Sequence, residues 1–386
     1  MSLADRLRAA ESDVPEPAPP GWTPGVEHDG RTGTLTTSAI HGAPDWSALL
    51  AVWDLDPALW TVDEPAQVRA WDAPVGNGQV QRLYYYRASI RRRRPVEVDD
   101  LLDAIKPIRP RRLAPAGSSA FLLAVGDLQI GEWTAEGGTP AVVERFTDAV
   151  GRAVEVYRRL RRRSEVGPVL LAWGGDCIQG TLSQGGALIP RLDLTVTEQL
   201  RVVRRLMLRQ VEAFLPHADD ITLASVPGNH DDTYRMGSGR AQAGRQDDSW
   251  AVEAAVAVRD ALHLAGHDHV RFALPGVDRQ DVALEIANTR VGLVHGHQWR
   301  GGFEGVHKWW AGQAHGQTPV GGVDVLLTAH RHHLAVQESG GGKLAVQMPA
   351  VQGASAWWRT ATGQHAHPGV LVGVLGDGRL RRLEVL

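Results

Sequence analysis

The sequence has little cysteine, little lysine and no long apolar run. Cys177 is the one cysteine among 386 residues, so no internal disulfide can form and we expect no disulfide partner, as in a reducing cytoplasm. No apolar run approaches the roughly 20 residues of a membrane helix, and the first residues lack the apolar core of a signal peptide. We therefore expect a cytoplasmic protein without a membrane partner.

Positive charge is carried almost wholly by arginine, since lysine occurs only at Lys106, Lys308 and Lys343. The net charge of -3 argues against a general polyanion-binding protein, although it leaves room for local basic patches. The hydrophobic content of 43% and charged content of 22% are typical of a globular protein. The length suits one large domain and a smaller one.

The first 115 residues are predicted to form a linker and a small accessory domain. Residues 1–20 combine a short helix with a proline-rich linker. Residues 21–115 are predicted to form a small α+β domain, with a helix capped by Asp45 and a second helical turn beginning near Pro57.

One strand of this accessory domain is both aromatic and basic. It covers residues 79–93, carries Tyr84, Tyr85 and Tyr86, and leads into the arginine run at positions 91–94. Such a strand fits a surface that contacts nucleic acid. A packed accessory domain whose arginines face solvent fits the same pattern, and the sequence leaves both interpretations open.

Residues 118–386 are predicted to form a single α/β domain. Three strand-turn-helix units follow one another, and short strands make up the remainder. This order favours a layered α/β sheet with polar side chains at the carboxyl ends of its strands.

Five apolar strands end in residues that can bind metal. These residues are Asp127, Asp176, Asn229 with His230, His295, and His330 with His332. A single strand-end aspartate is usually a turn or a helix cap, but five such strand ends are hard to explain as turns. Mixed carboxylate, amide and imidazole ligands suit borderline divalent metals better than a calcium site or a zinc finger.

These strand ends resemble the five motifs of the calcineurin-like metallophosphoesterases. The motifs are Gly126-Asp127-x-Gln129, Gly175-Asp176, Gly228-Asn229-His230-Asp231, His295-Gly296-His297 and Ala329-His330-x-His332. The resemblance covers residues 118–386 and implies a sandwich of two mixed β-sheets flanked by helices. The layout is also similar to metallophosphoesterases of actinobacterial phages that are described as repair exonucleases.

The resemblance implies two groups of metal ligands that share one bridging carboxylate. These are Asp127, Gln129 and His332 for one ion, Asn229, His295 and His330 for the other, and Asp176 between them. Two dications roughly 3.5–4 Å apart would lower the pKa of a shared water, and the resulting hydroxide would attack phosphorus.

His230 and Asp231 are implied as catalytic residues rather than ligands. His230 would stabilise the transition state or protonate the leaving group. Either Asp231 or a nearby backbone carbonyl would orient the His230 ring.

Two positions depart from the family pattern, and a third departs from the pattern of one branch of the family. Gln129 stands where most members have histidine, and its neutral oxygen favours harder metals; we expect two divalent ions, manganese first, with magnesium, iron, zinc or cobalt as alternatives. Ala329 replaces the usual glycine. Gln179 stands where phosphoprotein phosphatases carry aspartate, which argues against a protein phosphatase.

Four further residues are candidates for binding substrate. Arg235, Arg240 and Arg245 follow the Asn-His-Asp turn and are suited to clamp phosphate, although solvated loop arginines explain them equally well. His297 lies beside the candidate ligand His295.

The sequence therefore predicts a dinuclear phosphoesterase that cleaves phosphodiester bonds, with nucleic acid as the leading substrate and partner. One alternative is a phosphomonoesterase or small-nucleotide phosphodiesterase. The other is a catalytically weak nucleic-acid-binding protein of the same fold.

Overall fold

The computed structural model describes residues 21–57, 59–74, 80–92, 117–134, 137–234, 245–302, 304–353 and 366–386. The chain forms two compact units, Met1–Pro95 and Val96–Leu386. The helix and linker expected at residues 1–20 lie outside the described residues, as does the expected boundary near residue 115, which stays a prediction.

The N-terminal unit is a four-stranded antiparallel sheet with one short helix. Its elements are β1 (Gly25–His28), β2 (Thr32–Thr36), α1 (Trp46–Val52), β3 (Trp60–Pro74) and β4 (Val80–Arg92), and the strand order is β1-β2-β4-β3. The Asp45 side chain accepts a hydrogen bond from the Ala48 N–H at 3.1 Å and caps α1. The small α+β unit expected from the sequence is thus present.

Near Pro57, where the sequence predicts a second helical turn, the backbone N–H groups of Leu59 and Trp60 both donate to the Asp56 oxygen at 2.9 Å. The turn does not continue into a helix, because β3 begins at Trp60. Trp60 is drawn into a small core with Leu35 and Ile90, and β3 pairs with β4 along most of its length. The register shifts between Asp63 and Gln67. That irregularity breaks the alternation by which a strand is recognised in a sequence.

The second unit contains the remaining strands and helices. They are β5 (Ser119–Val125), α2 (Gly138–Arg162), β6 (Val166–Trp173), α3 (Val196–Phe214), β7 (Ile221–Ser225), α4 (Trp250–Leu264), β8 (Val270–Ala273), β9 (Asp281–Ile286), β10 (Thr289–Val294), α5 (Glu304–His315), β11 (Val325–Thr328), β12 (Ala335–Ser339), β13 (Lys343–Gln347), β14 (Leu371–Gly376) and β15 (Arg379–Val385). Two mixed sheets run β15-β14-β5-β6-β7-β8 and β12-β13-β11-β10-β9. The predicted α/β sandwich is confirmed.

Side-chain alternation divides this unit into four layers. Along β5, Phe121 and Leu123 join the core that holds α2, α3 and α4. Leu122 and Ala124 point the other way, into a core shared with the second sheet. Trp310 of α5 covers the far face of that sheet. Within the described ranges, no helix is long and apolar enough to cross a membrane.

The layering brings several strand ends together. Strands β5, β6 and β7 are parallel neighbours, and β10 and β11 are parallel neighbours in the second sheet. Each of the five ends a few residues before a candidate metal ligand. Carboxyl ends of parallel strands share one edge of a sheet, so the topology concentrates these side chains.

Candidate metal centre

Three candidate ligands from both sheets converge. One ligand atom each from Asp176, His295 and His330 lies within 4.8 Å of the others. Asp176 follows β6, whereas His295 follows β10 and His330 follows β11. Two imidazoles and one carboxylate at this spacing are a donor set for a borderline divalent metal.

The Asp176 carboxylate divides its two oxygens between backbone and imidazole. Oδ1 accepts a hydrogen bond from the His230 backbone N–H at 2.7 Å. Oδ2 lies 3.1 Å from His295 Nε2 and 3.9 Å from His230 Nε2. The residue is 1% exposed, so the carboxylate is held rigidly at the centre of the cluster.

Asp127 repeats this arrangement at the end of β5. Its Oδ2 accepts a hydrogen bond from the His330 backbone N–H at 2.9 Å, and its Oδ1 lies 3.3 Å from His332 Nε2. Each buried aspartate therefore ties down the turn that carries another candidate residue and still presents one oxygen to an imidazole.

Five candidate ligands have left-handed backbone conformations that residues other than glycine rarely adopt. The φ angles are 51° at Asp127, 44° at Gln129, 48° at Asp176, 72° at His330 and 58° at His332. Such conformations cost on the order of 1–3 kcal/mol each and concentrate at functional sites. The surrounding hydrogen bonds hold the backbone in this strained state.

Gly228 is required by close packing rather than by its own φ angle. A Cβ atom at this position would lie 2.1 Å from both the backbone N and the Oδ1 of Asp176. The turn that carries Asn229 and His230 can therefore approach Asp176 only if residue 228 has no side chain.

Asp231 is fully buried and bonds the backbone rather than the His230 ring. Its Oδ1 accepts hydrogen bonds from the N–H groups of Cys177 at 2.9 Å and Ile178 at 3.1 Å, and its Oδ2 accepts from Gly228 at 3.0 Å. Of the two orienting groups considered from the sequence, the backbone carbonyl is the one in contact with the ring. The geometry gives Asp231 a positioning role.

The His230 ring is held at both nitrogens. Nδ1 lies 3.2 Å from the backbone oxygen of Gln179, and Nε2 lies 3.1 Å from Ser183 Oγ. Sequence reasoning missed Ser183, which lies outside every motif in a stretch of small and polar residues. Only the folded loop brings its hydroxyl to the ring.

The other candidates lie around this cluster. Gln129 is 6% exposed, and its backbone N–H donates to the Asp176 carbonyl at 2.9 Å. The centroid of the His297 ring is 5.4 Å from that of His295 and 6.2 Å from that of His330. Asn229 follows Gly228 in the turn anchored by Asp231.

Of the three candidate phosphate clamps, only Arg245 lies among the described residues. Arg235 and Arg240 lie outside the described residues. Arg245 makes a two-pronged ion pair with Asp247, at 2.8 and 2.9 Å, within its own loop. A phosphate-binding role for these arginines stays a prediction.

Arg331 is a second residue that sequence reasoning passed over. It stands between the candidate ligands His330 and His332. Its Nε is buried and has no hydrogen-bond partner among the described residues, and burial lowers the pKa of its guanidinium. A partly buried cation in this condition favours an anionic ligand.

Electrostatic coupling within the cluster is strong. Burial opposes the charged form of Asp176, but the charges of His295 and His230 hold the pKa of its carboxyl well below its usual value. Burial likewise opposes charge on His295, yet the Asp176 carboxylate raises the pKa of that ring to about 9. Burial and the neighbouring His295 charge lower the pKa of His330 to about 4.

The described residues fit a divalent metal. Asp127 Oδ1 and His295 Nε2 are buried, and their contacts with His332 Nε2 at 3.3 Å and Asp176 Oδ2 at 3.1 Å lack hydrogen-bond geometry. Leaving a buried polar atom unsatisfied costs about 1–3 kcal/mol, which coordination of a metal would recover. Carboxylate oxygen and imidazole nitrogen also match the preference of borderline divalent ions.

Comparison with known proteins gives one family and distant structural similarities. The model of the calcineurin-like phosphoesterase family matches residues 122–344, more than half of the chain. The zinc complex of wild-type Vps29 from Entamoeba histolytica is 15% identical, covering 69% of this chain and 98% of its own, with a TM-score of 0.28. A dimetal phosphatase from Danio rerio is 12% identical, covering 68% and 94%, with a TM-score of 0.32. The sequence matches none of the curated proteins, and similarity at this level says nothing about the substrate.

Gly228→Ala should damage both folding and metal binding. The added Cβ would meet Asp176 at 2.1 Å, so we expect a loss of about 3 kcal/mol in the free energy of unfolding and reduced metal content. Thermal unfolding and elemental analysis after loading with manganese measure the two effects. Gly151→Ala is the control, because its Cβ would meet nothing within 4 Å on an exposed helical position. Wild-type values for both variants would contradict the packing argument.

Metal binding should release protons. With its pKa at about 9, His295 carries a proton at pH 7 in the metal-free protein, and a metal binds only the neutral ring, so about one proton should leave. Affinity should rise with pH up to about 9, by as much as tenfold per pH unit. Calorimetric titration with manganese in two buffers of different ionisation enthalpy counts the protons. A count of zero would contradict the proposed charge state.

Proposed function

The chain belongs to the calcineurin-like phosphoesterase family, and from that premise we propose that it hydrolyses phosphodiester bonds in nucleic acid with two divalent metal ions. Phosphoester hydrolysis is the activity of the family. The choice of a nucleic acid and of manganese is the part proposed here.

The convergence of Asp176, His295 and His330 within 4.8 Å carries the proposal. If these residues were only turn or helix-cap residues, their side chains would have no reason to converge from two different sheets. A two-metal site requires that geometry, because each of the two ions that would share the Asp176 carboxylate also needs ligands of its own.

The ligand sets proposed are those implied by the motifs. Asp127, Gln129 and His332 would hold one ion, Asn229, His295 and His330 the other, and Asp176 would bridge them. When bound, two such ions activate a water and neutralise charge on the phosphoryl oxygens. The contacts of Asp127 with His332 and of Asp176 with His295 support this grouping.

The remaining chemistry falls to the side chains of the chain itself. His230 presents Nε2 to the cluster, 3.9 Å from Asp176 Oδ2, a position suited to donate a proton to the leaving oxygen. Asp231 holds the turn in place through three backbone N–H groups. Arg331 would contribute positive charge for an anionic substrate.

The N-terminal unit supports nucleic acid as the substrate class. The ring of Trp22 lies against two guanidinium groups, 5.1 Å from that of Arg69 and 4.7 Å from that of Arg87. The half-buried rings of Tyr84 and Tyr86 are stacked, with centroids 6.2 Å apart. Trp22 itself is buried, so the rings offered to a base are those of Tyr84 and Tyr86 on β4, and aromatic side chains beside arginines are a common platform for single-stranded nucleic acid.

Manganese is proposed because of the donor set. Gln129 supplies a neutral oxygen where the family usually has an imidazole, and Asn229 supplies a second amide oxygen. More oxygen and less nitrogen favours a harder ion over zinc.

Variants should separate metal binding from catalysis. Asp176→Asn and His330→Ala should abolish metal-dependent activity, whereas His230→Ala should retain metal and lose about 100-fold or more in kcat. Elemental analysis and steady-state kinetics on the same preparations check this. If the wild-type protein supplemented with manganese never holds more than one ion per chain, the two-metal proposal is wrong.

A substrate panel tests the nucleic-acid assignment. In the presence of manganese, labelled single- and double-stranded DNA and RNA should be cleaved, and bis-(p-nitrophenyl) phosphate should turn over faster than p-nitrophenyl phosphate. Asp176→Asn serves as the blank for contaminating nucleases. Cleavage of the monoester alone would overturn the nuclease proposal and leave a phosphomonoesterase.

A further inference from the structure

We propose that a cavity near the amino end of β5 is a second binding site, and that it takes a small organic anion with an apolar body. The cavity has a volume of about 320 Å³ and lies between α2 and the strands β14 and β15. Because small-molecule sites range from ~300 to ~1,000 Å³, this volume suits a small molecule rather than a peptide or a polynucleotide.

The cavity is separate from the metal cluster. Phe121 of β5 lines it, whereas Asp127 follows the other end of the same strand. At about 3.3 Å per residue, the two positions are roughly 20 Å apart. None of the residues that line the cavity is a candidate metal ligand, so an ion bound here would not share the site that contains Asp176.

The floor of the cavity is apolar. Phe121 of β5, Leu160 of α2 and Val374 of β14 are buried residues that line it. A ligand with an apolar body removes this surface from water, whereas a bare inorganic ion leaves it wet. The floor therefore favours an organic ligand.

The rim of the cavity is charged. Arg159, Arg163, Arg382 and Glu384 line it. Glu165 binds two of these arginines, with Oε2 at 2.6 Å from Arg382 Nη1 and Oε1 at 3.9 Å from Arg163 Nη1. The three arginines outnumber the two glutamates by one charge. A guanidinium binds carboxylate and phosphoryl oxygens alike, so the excess charge favours an oxyanion.

The position of the arginines at the end of α2 explains only part of this rim. Basic side chains such as Arg159 stabilise the C-terminus of a helix through its dipole. Arg159 and Arg163 are, however, four positions apart, and like charges at this spacing repel each other. Arg382 belongs to β15, so the dipole of α2 does not account for its position. An anion between the guanidinium groups would remove the repulsion.

A strained β-bulge brings Arg382 to the cavity. The pairing of β14 with β15 shifts register between Val372 and Val374, and Arg382 has a left-handed φ angle of 55°. Leu380 and Leu383, on either side of it, both pack into the core between the sheets. The bulge thus keeps both leucines in that core while Arg382 lines the cavity. Bulges that redirect a side chain in this way are common beside functional sites.

Benzoate and phenylphosphonate are the probes for this site, because each carries an oxyanion on an apolar ring. Calorimetric titration of the full-length protein should give a Kd on the order of 1 mM or tighter for at least one of them. The tighter probe identifies the oxyanion as carboxylate or phosphoryl. Benzamide, which keeps the ring but lacks the charge, and inorganic phosphate, which lacks the ring, should each bind at least about 10-fold more weakly.

Variants of the rim should change the affinity in opposite directions. Arg159→Ala should weaken the tighter probe about 10-fold, as should Arg382→Gly, which suits the left-handed backbone. Glu384→Gln removes a repelling charge and should tighten binding about 3-fold. Arg162→Ala is the matched control, because Arg162 is exposed in the last turn of α2 but does not line the cavity. Its affinity should equal that of the wild type, and thermal unfolding checks that each variant is folded.

Two results would overturn the assignment. One is an absence of binding at about 10 mM of either probe, or equal affinities in the wild type, Arg159→Ala and Arg382→Gly. The other comes from Asp176→Asn, because an oxyanion can also bind at the metal centre. Binding that is lost in Asp176→Asn and kept in Arg159→Ala would assign the probe to the metal centre, whereas the cavity predicts the reverse.

Discussion

The structure depends on two buried carboxylates that each serve a backbone N–H and an imidazole. Asp176 binds the His230 N–H and faces His295, while Asp127 binds the His330 N–H and faces His332. These contacts connect turns from both sheets. Losing one would leave a buried backbone N–H without its partner, at about 1–3 kcal/mol, and would also release the turn that carries a candidate ligand.

The surrounding packing makes this arrangement possible, and the arrangement costs free energy of folding. Candidate ligands such as Asp176 and His330 have left-handed backbones, and Gly228 must lack a side chain. Ala329, which stands where the family usually has glycine, packs closely against two glycines. A Cβ on Gly126 would lie 2.8 Å from its methyl group, and one on Gly174 would lie 3.0 Å from it, so both positions need glycine. The apolar core between the sheets offsets the strain, and a bound metal would stabilise it further.

This geometry gives Asp176 and His230 different surroundings. Groups whose charge is fixed by burial and pairing, such as Asp176, suit metal binding, whereas His230 is held by neutral partners on both nitrogens. The Gln179 carbonyl and the Ser183 hydroxyl together fix the position of the His230 ring. Phosphoester hydrolysis is the common property of the family, and the substrate preference proposed for this chain rests on its N-terminal sheet and on Arg331.

The sequence by itself determined which segments form strands and helices, where the apolar pattern is regular, and which residues at the strand ends are candidate metal ligands. The strands that carry Asp176 and His295 were predictable because buried strands are continuous apolar runs. Strand β3 was not, since its pairing shifts register between Asp63 and Gln67. Only the tertiary structure decided that Ser183 meets His230 and that Asp231 bonds backbone rather than the ring, because both contacts join segments about 50 residues apart whose approach depends on packing and not on local pattern.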